Sequence, residues 1–162
     1  MHEEIYADSC CLMLLGLTAC QDKAGACKDD SLEIAKLMDS INTKTNDNDW
    51  KAGILQDNSI DAASLQNLYH INSTDVQEYT VRTALLETDA TEIAIFHVTN
   101  DKMQEVKDGV AYRIESLKTK WKELDKKQYE LVKKHKTFQC GNYYFLVIAK
   151  DADAIADYME SY

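Results

Sequence analysis

The sequence predicts an α+β fold, a four-stranded, mostly antiparallel sheet with helices packed on one face as a two-layer sandwich. Three observations lead there. Phe138 to Lys150, FQCGNYYFLVIAK, places Gly141-Asn142 between two runs of aromatic and β-branched residues, the pattern of a tight hairpin whose second strand, Tyr143 to Ala149, is too apolar to face water. Glu92 to Val98, EIAIFHV, is apolar on both alternating faces, as an interior strand is. The order of elements then sets two short-connected strand pairs on either side of a helical stretch, which favours antiparallel pairing over parallel crossovers.

Cys10 to Ala19, CCLMLLGLTA, is a ten-residue apolar stretch that ends in small residues just before Cys20. It is too short to span a bilayer and has the length of a signal-peptide core. Leu17-Thr18-Ala19-Cys20 resembles the lipobox of bacterial lipoproteins, in which the cysteine thiol carries a diacylglyceryl group and becomes the mature N-terminus. Residues 1–19 are thus read as a signal-peptide-like leader and Cys20 as the lipid-attachment site. The competing reading is an N-terminal helical turn that packs in the core. The leader holds Glu3, Glu4 and Asp8 with no Lys or Arg, where a signal peptide carries a basic start. Gln21 to Asp29 is small, polar and charged, a tether able to reach about 30 Å when extended. Residues 20–29 are therefore anchor and tether, and 30–162 a single globular domain. Cys27 and Cys140 are read as free thiols, with a disulfide open to them in an extracytoplasmic location.

Within that domain, Asp30 with Glu33 forms a capping-box pattern, and Ile34, Leu37, Met38 and Ile41 give one apolar helical stripe. Asn42 to Asp49 reads as a polar loop, and Lys51 to Ser59 has no assignment. Asp61 caps a short helix with Leu65, Leu68 and Tyr69 on one side, and Asn72-Ser73-Thr74-Asp75 breaks it. Val76 to Leu85 is a strand, Glu87 to Ala90 a turn, and Glu92 to Val98 the second strand. Thr99 or Asn100 caps a long helix from about Asp101 to Trp121, where Met103, Val106, Val110, Ile114, Leu117 and Trp121 step by three or four. Gly109 inside it points to close packing against the sheet. A further helix near Leu124 to Lys134 turns Tyr129 and Val132 inward. After the hairpin, Asp151 caps a last helix with Ala152, Ile155, Ala156 and Met159 on its apolar face.

The chain has 162 residues, room for one core, with 18 basic and 28 acidic residues and a net charge of −10. That balance speaks against broad nucleic-acid binding, which needs clustered Lys and Arg. The sequence holds no Gly-rich phosphate loop, nucleophile elbow, His-Glu-x-x-His or Cys-x-x-Cys, so no catalytic residue, cofactor or metal is assigned. His70, His97 and His135 fall on three elements, and His97 is a ligand candidate only beside Cys140. Of the series Asp151, Asp153 and Asp157, Asp151 is read as a helix cap and Asp153 as favoured by the helix dipole rather than as members of an acid pair. Lys118 to Lys136 carries eight lysines against three acids, read as a solvated helix end before a patch for anionic headgroups or wall polyanions. Tyr143 and Tyr144 are adjacent and face opposite sides, so one of them falls on the open sheet face as a partner surface.

Leu68-Tyr69-His70-Ile71 leading into Glu78-Tyr79-Thr80-Val81, then Thr91 to Phe96, then Gly141 to Ile148 with Asp151-Ala152-Asp153, resemble a family of small lipoprotein domains of unknown function from Gram-positive bacteria. The resemblance implies a location more than a mechanism. The reading is a membrane-tethered extracytoplasmic lipoprotein domain on the outer face of the cytoplasmic membrane. It acts as a non-catalytic binding or interaction module toward an envelope protein or small-molecule ligand. The alternatives are a cell-envelope enzyme with an unrecognised active site, or a cytoplasmic protein if the leader is no signal peptide.

Overall fold

The computed structural model describes residues 27–162; the leader, Cys20 and most of the tether lie outside the described residues. Among the described residues, five helices, α1 (Ile34–Asn46), α2 (Ala62–Tyr69), α3 (Met103–Leu124), α4 (Lys126–Lys133) and α5 (Ala152–Ser161), accompany four strands, β1 (Val76–Thr83), β2 (Glu92–Val98), β3 (Lys136–Cys140) and β4 (Tyr143–Ile148). The strands lie in the order β1-β2-β4-β3 with every neighbouring pair antiparallel. The α+β class and the four-stranded sheet are those the sequence predicts, and the two runs expected inside, β2 and β4, are its central strands.

The single helical face is corrected: helices cover both sides. Ala94, Phe96, Val98, Leu146 and Ile148 meet residues of α2, α3 and α4 in one core. Ile93, Ile95, Tyr143, Phe145 and Val147 meet α1 and α5 in another. The cause is the alternation itself, since β2 and β4 carry large apolar side chains at both odd and even positions. A two-layer arrangement would leave one of those rows in water, at about 1.5–3 kcal/mol for each large side chain. Tyr143 and Tyr144 are thereby covered from opposite sides, the first only 1% exposed and the second half-buried with Lys107 of α3 over its ring. No open sheet face carries either tyrosine.

Local chemistry departs from the expectation at several ends. Asp30 does not cap α1. It sits at φ 57°, and its carboxylate faces His97 Nε2 at 2.9 Å and accepts from Asn142 Nδ2 at 3.3 Å. Helix α1 runs as far as Asn46, into the Asn42 to Asp49 segment expected to be a loop, because Thr45 is buried against the cleft described below and so holds the last turn in place. Asp61 caps α2 as predicted, its Oδ1 accepting from Ser64 N at 2.8 Å. Asn72 and Asp75 close a capping box on a single 3-10 turn. Neither Thr99 nor Asn100 caps α3, whose preceding residue is Lys102. Gly109 packs tightly, but against the segment after α2 rather than the sheet: a Cβ there would lie 2.6 Å from the carbonyl oxygen of Tyr69.

Gly141 turns the β3-β4 hairpin at φ 56°. Cys27 is buried there and bonded to Cys140 of β3, with Cα atoms 5.6 Å apart. The reading of both as free thiols is overturned, since the segment before α1 folds back over the hairpin tip and brings the two cysteines together. The sheet therefore has two unlike ends. At one end lie the hairpin tip, the disulfide and the entry of the chain. At the other, about 20 Å away along β2, lie the β1-β2 connection and the exit of β4.

Candidate functional site

The second end is built on one buried carboxylate. Glu92 opens β2 and is 2% exposed. The Tyr69 hydroxyl of α2 donates to its Oε1. Arg113 of α3 donates Nε to Oε1 at 3.0 Å and Nη2 to Oε2 at 2.6 Å, a bidentate pair, with its guanidinium over the Tyr69 ring. Burial pushes the Tyr69 phenol well above the usual tyrosine range, and the Glu92 charge adds to it. Burial alone would lower Arg113, but its bonds to Glu92 outweigh that, and its pKa is raised. All three groups are spoken for, so the cluster fixes α2, α3 and β2 to one another and leaves no base or nucleophile free.

From this anchor the β1-β2 connection runs across the end of the sheet. Asp89 Oδ1 accepts from Thr91 N at 2.8 Å and Thr91 Oγ at 2.7 Å, and Thr91 Oγ accepts from Gly53 N at 3.2 Å. Gln128 of α4 accepts from Ala90 N at 2.9 Å. The segment around Gly53 must approach closely, because a Cβ there would lie 2.6 Å from Thr91 Oγ. Asp151 completes the frame. It occupies the cap position of α5 without capping it, and its carboxylate instead accepts from Lys51 N at 2.6 Å.

Between this frame and α4 opens a cleft of about 780 Å³, within the range of small-molecule sites. Its walls are the last turn of α1, the segment from Trp50 to Ile54, the Asp89-Thr91 turn, α4, and the end of β4. Trp50 is held edge-on to Tyr158, with Lys44 over both rings. Lys51, Lys127, Lys134 and Lys150 line the opening. Thr45 also lines it, 6% exposed, and its hydroxyl is without a hydrogen-bond partner. On the other side of the Asp89-Thr91 turn lies a smaller groove of about 660 Å³ with Leu85, Leu86 and Leu124, each more than half exposed, and Trp121, whose indole N–H has no hydrogen-bond partner.

The residues singled out from sequence fall elsewhere. Tyr143 is in the core beneath His97, whose ring stacks on it at 4.4 Å, and burial with the nearby Asp30 charge raises its phenol. Cys140 is tied to Cys27, so it is no partner for His97. His70 stacks on Tyr112 at the surface, and His135 Nδ1 lies 2.8 Å from the Val132 carbonyl oxygen. Asp153 pairs with Lys136 at 2.5 Å. Of the eight lysines, Lys118 and Lys133 pair within their helices, whereas Lys127 and Lys134 line the cleft. Cys20 lies outside the described residues. Among the described residues no three His, Cys, Asp or Glu side chains are placed to share a metal ion.

Sequence reasoning missed Thr45, Gly53, Asp89, Thr91 and Arg113. One signal was available: Arg113 follows Val110 by three residues and so stands on the apolar stripe of α3, facing a strand that begins with Glu92.

A family model described as a domain of unknown function, DUF4358, matches residues 52–149. The chain belongs to that family. No curated protein and no solved structure matches the chain. The DUF4358 segment contains the whole sheet, α2 to α4 and the Tyr69-Glu92-Arg113 cluster. It stops short of α1, Trp50, Lys51 and Lys150, so the cleft is walled on one side by the DUF4358 segment and on the other by its flanks.

Proposed function

We propose that the protein is a lipid-anchored, extracytoplasmic binding module, attached through Cys20 to the outer face of the cytoplasmic membrane and presenting its cleft to a ligand without catalysing a reaction. The observation that carries this reading is the opposed placement of entry and cleft. Cys27 is fastened to Cys140 at the hairpin end, and the cleft opens at the far end of the sheet. Cys27 follows Cys20 by seven positions, at most about 25 Å of extended chain. An anchor at Cys20 would therefore hold the hairpin toward the bilayer and turn the cleft away from it. The disulfide supports the same compartment, because such bonds persist outside the reducing cytoplasm. The saturated Tyr69-Glu92-Arg113 cluster favours binding over catalysis, since none of its groups is left to move a proton.

The intact mass of protein from the membrane fraction, measured beside a Cys20→Ser variant, tests the anchor. The expected result is added lipid mass and membrane retention that the variant loses. A full-length soluble protein that keeps Met1 would sink the reading.

A further inference from the structure

We infer that the cleft between α1 and α4 is a binding site for a small anionic ligand rich in hydroxyl groups, of the class of sugar phosphates and sugar acids. The inference rests on the binding-module reading and names the chemistry its site would take.

Charge is the first argument. In a chain of net charge −10, four lysines border this one cleft against two carboxylates, Asp89 and Glu130. Asp89 is occupied by Thr91, and Glu130 by Lys133 at 3.1 Å. Lys51, Lys127, Lys134 and Lys150 form no ion pair among the described residues. A locally positive mouth on an acidic protein draws anions and repels cations.

The second argument is independent of charge. Thr45 is more than nine-tenths buried and lines the cleft, and its hydroxyl has no hydrogen-bond partner. Buried polar groups are ordinarily satisfied, so an orphan hydroxyl on a residue that walls a cavity marks a place where a polar ligand group is wanted. Asn46, Asn48 and Gln128 border the same space with amides that suit hydroxyl groups, and Trp50 supplies an aromatic wall against which a sugar ring packs. The cleft of about 780 Å³ has room for such a molecule.

The chain has two tryptophans, Trp50 at this cleft and Trp121 at the neighbouring groove, which makes the test local. In the full chain in mild detergent, Trp121→Phe leaves Trp50 as the reporter and Trp50→Phe leaves Trp121. Each is titrated with glucose 6-phosphate, glucuronate, inorganic phosphate and glucose. Calorimetry on the unsubstituted chain repeats the titrations in case either variant fails to fold. The expected result is a saturable Trp50 response to glucose 6-phosphate or glucuronate that weakens as salt rises. The double variant Lys127→Gln, Lys134→Gln should bind about tenfold or more weakly, as expected when charge-assisted hydrogen bonds are lost. Binding of glucose as tight as that of the anions, no binding of either anionic sugar, or undiminished binding by the lysine variant would overturn the proposal. Membrane retention is read separately, so a retained protein that binds neither sugar loses the ligand class and keeps the anchor. A probe recovered chemically altered would instead overturn the non-catalytic reading.

Discussion

Tyr69 shows how far one side chain can set the behaviour of the whole chain. Its phenol is buried and bonded to Glu92, and its pKa lies well above the ordinary tyrosine value. A group raised in this way adds stability that is complete below the unfolded value of about 10 and is lost as pH climbs toward the folded one. The protein should therefore weaken above about pH 10, and Tyr69→Phe should flatten that decline while lowering stability at neutral pH by about 1–3 kcal/mol, the worth of a hydrogen bond to a charged group. Urea midpoints of both proteins from pH 8 to 11 check this. Tyr143, also raised by burial, leaves a residual slope in the variant. Apart from the place of Arg113 on the apolar stripe of α3, little of this was legible in the sequence. Glu92 reads as the polar start of an apolar strand, Tyr69 as one more apolar helix residue, and only the fold brings Tyr69 and Arg113 to Glu92 across 23 and 21 positions of chain.

Elements were easier to read than their ends. Helix α3 and the β3-β4 hairpin carry periodic apolar residues over their whole length, and both form where that pattern places them. Helix α1 does not stop where its apolar stripe stops. Its last turn holds polar residues whose weak helix preference is overridden by burial of Thr45, and Asn48 beyond it adopts φ 62°. Gly109 makes the same point inside α3. Helix preference alone would have alanine stabilise that position by about 1 kcal/mol. The structure predicts the opposite sign, because the added methyl meets the Tyr69 carbonyl and the Ile71 side chain. Gly109→Ala should cost about 1–3 kcal/mol in urea unfolding, an overpacking penalty. An alanine variant as stable as the parent would show that the segment after α2 yields.

On the scale of the molecule, the sheet was legible and its second covering was not. Whether α1 and α5 share a face with α3 depends on connections that no periodicity records; the apolar rows on both sides of β2 and β4 were the available clue. The disulfide was likewise hidden, since two cysteines 113 residues apart become neighbours only through the fold. Replacing both Cys27 and Cys140 with serine should lower stability by about 2–4 kcal/mol. Alkylation of denatured, unreduced protein should leave these two cysteines unlabelled by mass. Labelling of both in protein from the membrane fraction would contradict the bond. The same link also decides how the domain carries mechanical load. Tension on the chain upstream of Cys27 crosses the sulfur bridge directly into β3 and spreads through the strand ladder, so α1 lies off the force path. The helix that walls the cleft is spared the pull that would otherwise unwind it first.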